Sequence, residues 1–371
     1  PRQNTIEKSP ESMKVTVEET FDFSGPEYRR LYSEGKGTAF QAPMWLDMLH
    51  RRLGPSLGAK QRTVTFRNEA DDSLLAVLPL VMQRSSGVMI IQPADFGISD
   101  YNTIVCDAER FEQIAASPAV LKALRETLRG ADLLMFRKVR ADGFDIQRLF
   151  KGARESRGEN SAYAFDIGDD FDHWRLKVMN RNFTKNLGRL HRQTEAAYGP
   201  YLHKAITHEQ EIRAVFDFLR EARQDRYSEN LLDRHEYFDL YRDYAVAAAA
   251  SGEAVLYVSY LAGEPVAALF GLAGDGEFHA TLLASDIKKH QKISAGMQIL
   301  YRVAQLRHQD GHRVMDLCLG DPGYKTHFRP TETTMRNITV ALSLKGAAVA
   351  AIYHHAKPLK NFLRKGVANV R

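Results

Sequence analysis

Apolar positions recur along the chain with two periods, and each change of period marks an element. Behind a polar tail of residues 1 to about 13, the run VTVEETFDF alternates as a strand, and Pro43 opens a helix over Met44 to Arg52. Strands follow at Arg62 to Phe66, Leu74 to Gln83 and Val88 to Ile91, around the turn signals NEADDS and SSG. A helix over Phe111 to Leu128 and a strand over Ala131 to Lys138 complete a first α/β block.

The second half repeats this grammar. It predicts a helical region from Phe171 to Tyr198, a strand at Tyr201 to Ala205, and helices at His208 to Tyr227 and Arg234 to Ser251. Three meander strands follow, Ala254 to Leu261, Pro265 to Leu272 and Glu277 to Ala284, joined by AGEP and GDG turns. Then come a helix at Ala295 to Gln309, strands at Arg313 to Leu319 and Thr334 to Leu344, and a basic amphipathic helix. The order predicts two mixed α/β domains, 14–165 and 166–345, with an amphipathic helix over 346–371. The tandem plan comes from the pattern, because no internal repeat is visible in the residues.

Composition changes this picture little. At 371 residues, 44% hydrophobic and 26% charged, the chain can bury two cores without metal or disulfide staples. Cys106 and Cys318 lie far apart in apolar, strand-like runs and read as buried reduced thiols. No apolar run approaches the roughly 20 residues that span a bilayer, and the polar opening is no secretory signal, so a cytoplasmic protein is expected. A formal charge of +5 suits an anionic ligand, an anionic membrane surface or RNA.

Three constellations carry chemistry. After Asp172, helical spacing puts Leu176, Met179, Phe183, Leu187 and Leu190 on one stripe and Lys177, Arg181, Lys185, Arg189 and Arg192 opposite. That basic face reads equally as a solvated surface or as a landing strip for phosphates. In HQKISAGMQIL, Ser294 is placed to cap a helix whose first amides, at Ala295 and Gly296, lack bulky cover, and Lys292 adds charge.

The third constellation is DLCLGDPGYKTHF. Strand alternation sets Val314, Asp316, Cys318 and Gly320 on one face and Met315, Leu317 and Leu319 on the other. The GDPG corner then ends the ladder, and Asp321, Tyr324, Lys325 and His327 sit where the strand opens. The structural alternative has Asp321 capping the turn and Lys325 bracing Asp316 or Asp321. No metal-binding spacing is present, since His354 and His355 are adjacent and share no helix face.

From Phe40 to Phe328 the sequence resembles the CelD-type acetyltransferases of the GNAT superfamily, annotated through a cellulose-biosynthesis member, and more distantly the Fem peptidyltransferases. The matching pieces are FQAPMWLDMLHRRLG, LPLVMQR, DYN at Asp100 to Asn102, NRNFTKNLGRLHRQTEAAYG, GEPVAALFGL, KISAG and DLCLGDPGYKTHF. Ala295 stands where a proline is usual, and Thr184 and Gly188 stand where arginine or lysine is common. The resemblance implies a tandem GNAT-like fold with the active cleft in the second domain, taking acyl-CoA, acetyl or longer, as co-substrate. The thioester would lie along Leu282 and Leu283, and its diphosphate would meet Lys292, Ser294, Ala295, Gly296 and Met297.

Transfer to an amine needs a base and an oxyanion donor. Asp316, Asp321 and His279 are the base candidates, and Lys325 with Tyr324 the candidates for polarising the thioester or holding the acceptor. Cys318 as an acyl-enzyme nucleophile is the weaker option, because GNAT relatives transfer directly. Acceptors among relatives include amino sugars, peptidoglycan peptides and sphingoid long-chain bases of the bacterial cell envelope. The segment 346–371, with Val349, Ile352, Leu359, Phe362 and Leu363 among basic residues, fits either packing on the sheet or peripheral contact with an anionic inner membrane. Two other readings stay open: a Fem-like transferase using aminoacyl-tRNA, and a non-catalytic GNAT-like module in envelope polysaccharide assembly.

Overall fold

The computed structural model describes residues 12–224, 230–274 and 276–355. They form two compact units that are interleaved in the chain. One takes the described parts of 1–37, 49–159 and 335–371, and the other takes 38–48 and 160–334.

The first unit holds two sheets. Met13–Glu18, Thr63–Asn68 and Leu74–Leu78 form an antiparallel three-stranded sheet. A six-stranded sheet runs in the order Ala59–Gln61, Leu80–Ser85, Val88–Pro93, Leu133–Arg140, Met335–Ala341, Arg154–Arg157. The SSG signal is a tight hairpin: Ser86 and Gly87 both take positive φ, 48° and 80°, which matches the twist of the strands they join. The helix expected over Phe111 to Leu128 is two helices, Ala108–Ala116 and Pro118–Thr127. The break falls at Pro118, which has no N–H to continue the first helix, and Ser117 caps the second.

The strand assigned by sequence to the end of the second domain lies elsewhere. Met335–Ala341 pairs antiparallel with Leu133–Arg140, from Met335↔Arg140 to Ala341↔Leu133, and so completes the first unit's sheet. Its apolar Ile338 and Val340 face the same core as Phe66, Phe111 and Phe136. Residues 344–355 continue as a helix whose Val349 and Tyr353 pack toward Leu133 and Met135, whereas Ile352 is exposed. The remainder of the expected amphipathic helix, with Leu359, Phe362 and Leu363, lies outside the described residues. Among the described residues, no helix is long and apolar enough to cross a membrane.

The second unit is a seven-stranded sheet in the order Tyr201–Ile206, Ala254–Leu261, Glu264–Gly274, Glu277–Ser285, Val314–Gly320, Ser161–Asp166, Thr331–Thr333. The meander is antiparallel as expected, and helix Ala295–Gln309 carries the chain across to a parallel strand, Val314–Gly320. Adjacent strand residues face opposite ways. Phe270 meets Phe216 and Tyr241 of helices Glu209–Gln224 and His235–Ala248, while Leu269 joins Ile299, Val303 and Met315 on the other side.

The helical region before the meander is also interrupted. A wide turn, Trp174–Val178, precedes helix Arg181–Tyr198, whose N-cap Asn180 accepts from the amides of Asn182 and Phe183. The break resets the helical phase, so Leu176 is exposed while Met179 and Leu187 are buried. Lys177, Arg181, Lys185, Arg189 and Arg192 are exposed, as the stripe requires.

Two positions make the packing testable. At Gly271 an added Cβ would meet Phe278 Cζ at 2.2 Å and the His279 carbonyl at 2.6 Å. Gly271→Ala should therefore cost about 3 kcal/mol in urea denaturation, the upper range for overpacking. His50 is buried against Phe23, both ring nitrogens lack a hydrogen-bond partner among the described residues, and burial lowers its pKa to about 3. The unfolded chain takes up a proton near pH 6.5 that the folded ring refuses, so stability is lost as pH falls below that value. Between pH 6.5 and pH 5 the loss should approach about 2 kcal/mol, at 1.36 kcal/mol per unit, and His50→Phe should remove it.

Candidate functional site

Strand Val314–Gly320 does not keep the alternation expected of it. Opposite it on Ser161–Asp166, Asp316 pairs with Ala164 and Leu319 pairs with Ala162, so Leu317 and Cys318 together face the single Tyr163. This is a β-bulge, and Cys318 takes a positive φ of 61° to make it. A bulge frees backbone groups from the ladder, and here side chains take them up. Asp316 Oδ1 accepts from the Cys318 amide at 2.6 Å. Lys325, folded back on the short turn Gly323–Phe328, donates from Nζ to the Cys318 and Leu319 carbonyls at 3.0 Å each. Its ammonium also lies 5.1 Å over the Tyr163 ring.

The same bulge gathers the catalytic candidates. His279 and Asp316 are register partners on neighbouring strands, both buried, with His279 Nδ1 3.3 Å from Asp316 Oδ2. His279 Nε2 lies 3.7 Å from Glu277 Oε2, whose side chain is 38% exposed, so the pair connects to solvent through Glu277. The Phe40 ring, 5.4 Å from the imidazole, covers it from the segment 38–48. Ligand atoms of His279, Asp316 and Cys318 all lie within 4.8 Å of one another. That is a donor set divalent transition metals accept, with one ligand fewer than a closed structural site. Sequence spacing could not reveal it, since its members come from two strands that meet only in the sheet.

Asp321 and Tyr324 lie beyond the bulged strand, Tyr324 on the short turn Gly323–Phe328. Asp321 is exposed and its Oδ1 accepts from the Gly323 amide at 2.7 Å, which is the turn-capping role. Tyr324 is half-buried against the unit's core. Lys325 braces the bulge through the Cys318 and Leu319 carbonyls, where the sequence alone suggests Asp316 or Asp321.

The donor side is organised by a parting of strands. Glu277–Ser285 and Val314–Gly320 pair in parallel at three positions, Glu277↔Val314, Phe278↔Met315 and His279↔Asp316. Their ladder stops there although both strands continue. On its other edge, Glu277–Ser285 carries a second bulge at Thr281, whose Oγ1 donates to the Phe270 carbonyl at 3.1 Å. Leu282 is buried and Leu283 packs toward helix Ala295–Gln309. The Leu283 carbonyl accepts from Arg223 at 3.1 Å.

That helix begins beside the strand's far end: a Cβ on Gly296 would sit 3.3 Å from Ser285 Oγ. Ser294 does not cap it with its side chain. It takes a left-handed conformation (φ 51°), and its carbonyl accepts from the Met297 and Gln298 amides at 2.9 and 3.1 Å. The amides of Ala295 and Gly296 have no intrahelical acceptor in any α-helix, and here they follow an exposed Ser294 and an exposed Lys292. Residues missed by sequence reasoning are Phe40, Glu277 and Arg223, which only tertiary packing brings to the two strands.

Residues 181–326 match the family described as Acetyltransferase (GNAT) domain, a span from helix Arg181–Tyr198 through the bulged strand. None of the curated proteins matches the chain. Among solved structures, FemX is similar at 12% identity with a TM-score of 0.63, covering 87% of this chain and 96% of that one. L-PGS from Bacillus licheniformis is similar at 12% identity and TM-score 0.56, over 90% and 97%. A conserved protein of unknown function from Bacteroides thetaiotaomicron VPI-5482 follows at 10% identity and TM-score 0.58, over 88% and 100%. At such identities the likeness is one of fold, and it extends over nearly the whole chain. The mixed α/β class expected from sequence is the fold found, and the match to the GNAT domain falls on residues 181–326.

Lys325→Met should destabilise the second unit by about 3 kcal/mol in urea denaturation with no ligand present, since it removes a charged donor to two carbonyls. A loss under about 0.5 kcal/mol would mean the bulge does not depend on the ammonium.

Proposed function

We propose that the protein is an acyl-CoA-dependent N-acyltransferase and that its second unit carries the reaction. The observation behind this reading is the parting of Glu277–Ser285 from Val314–Gly320 after three paired positions. Two central strands that stop pairing present backbone edges to an extended, amide-bearing chain such as pantetheine, which can add to them as a strand would. The start of helix Ala295–Gln309, with Lys292 beside it, suits the diphosphate.

Bound there, the thioester supplies an activated acyl carbon. The chain's own task is to take a proton from the acceptor amine, at a cost of about 1.4 kcal/mol for each unit its pKa lies above ambient. The His279 and Asp316 pair is our candidate acceptor of that proton, with Glu277 as its way out to solvent. Lys325 acts as a positioning residue, holding the bulge that follows Asp316. The acceptor class we favour is a cell-envelope amine, either an amino sugar or a long-chain base. The likeness in fold to FemX keeps an aminoacyl-tRNA donor as the second reading.

The test is the melting temperature measured in parallel with acetyl-CoA, a long-chain acyl-CoA and aminoacyl-tRNA. A ligand of the native state at a hundred times its Kd should stabilise by about 2.7 kcal/mol, a rise of several degrees. We expect it with one of the thioesters. A shift with the RNA alone selects the second reading, and no shift with either thioester overturns the first.

A further inference from the structure

The basic stripe of helix Arg181–Tyr198 is only partly a solvated face. Its Arg192 lines an open cavity of about 330 Å³ bordered by the edge strand Tyr201–Ile206 and helix Ala295–Gln309. We infer that this cavity is a binding site for a small phosphomonoester, its phosphate held by Arg192 and Arg302.

Charge is the first reason. The lining carries three guanidinium groups, Arg175, Arg192 and Arg302, against one carboxylate, Asp172. That carboxylate already pairs with Arg175 at 2.8 Å. Arg302 donates to the neutral Gln305 at 2.6 Å, and neither it nor Arg192 has a carboxylate partner among the described residues. Two imidazoles, His191 and His203, stack at 5.8 Å within the same wall. His191 faces Glu195 at 3.6 Å, outside the lining. His203 is bonded through Nδ1 to Ser259 Oγ at 2.7 Å, and burial, reinforced by the charges of Arg302 and His191, lowers its pKa to about 3. The cavity therefore carries an excess of positive charge, and an anion with several acceptor oxygens is the natural complement.

Space is the second reason. The volume, about 330 Å³, leaves room for a phosphate with a body the size of a sugar. Gly188 contributes to it: a Cβ there would lie 3.6 Å from Arg192 Nη1, and beyond the local helix backbone and chain neighbours no other heavy atom comes within 4 Å. A glycine inside an 18-residue helix costs roughly 0.5–1 kcal/mol against alanine. Any larger side chain at 188 would enter the cavity. The edge strand that lines the cavity stands three strand spacings, about 14 Å, from Glu277–Ser285, while helix Ala295–Gln309 borders both places.

The experiment is titration calorimetry of the full chain with glucose 6-phosphate, inorganic phosphate and glucose, plus sedimentation with phosphatidic acid vesicles. We expect both soluble phosphates to bind, glucose not to bind, and affinity to fall as sodium chloride rises. Arg192→Ala and Gly188→Leu should each weaken glucose 6-phosphate at least tenfold, while Lys185→Ala, on the exposed part of the stripe, stays within twofold. Gly188→Leu should melt no lower than the parent, because leucine is the better helix former, so its loss of binding would report a filled cavity and not an unfolded chain. Absence of heat from both phosphates, equal binding of glucose, capture by vesicles only, or indifference of both variants would each overturn the site.

Discussion

A bulge on one central strand sets the geometry of the second unit. Two residues, Leu317 and Cys318, stand opposite one, Tyr163, and the backbone groups released by that mismatch must be satisfied inside the protein. Asp316 takes an amide and Lys325 takes two carbonyls, both from within the same thirteen-residue stretch. The buried charges thus serve the backbone. The strand they support turns away from its parallel neighbour just past the His279 and Asp316 pair. Past that pair the two strands share no further ladder positions, although both continue.

The division of labour follows from where strain and charge are placed. Cys318 adopts a backbone conformation that non-glycine residues rarely take, and hydrogen bonds from its amide to Asp316 and from Lys325 to its carbonyl hold it there. A group such as Asp316, fully buried, is costly unless its oxygens are occupied. Here one oxygen is committed to an amide and the other faces an imidazole. That arrangement leaves the pair anchored to the backbone on one side, with Glu277 on the other.

Much of this was legible in the residues. Apolar runs bounded by the AGEP and GDG turns located the three meander strands to within two residues at each end, because strands buried on both faces read as continuous hydrophobic stretches. The polar cluster after Asp316 stood out as costly, and its partial use as a brace was visible as an alternative. The failures share a cause. Helices were read through Pro118 and Asn180 because apolar spacing continues across them, although a missing donor or a capping side chain ends the hydrogen-bond ladder. Ser294 looked like a cap by residue type, yet its left-handed backbone aims the carbonyl, not the hydroxyl, at the helix.

Local sequence determined the element types, the turns at Ser86 and Ala262, and the concentration of chemistry between Asp316 and His327, because each depends on neighbours within a few residues. Tertiary structure alone decided the rest. It placed Met335–Ala341 in the first unit's sheet, since antiparallel pairing with Leu133–Arg140 joins residues some two hundred positions apart. It put Phe40 over His279, Arg223 on Leu283 and Gly188 at the wall of a basic cavity, because contact across a sheet depends on register and packing, which composition and spacing do not encode.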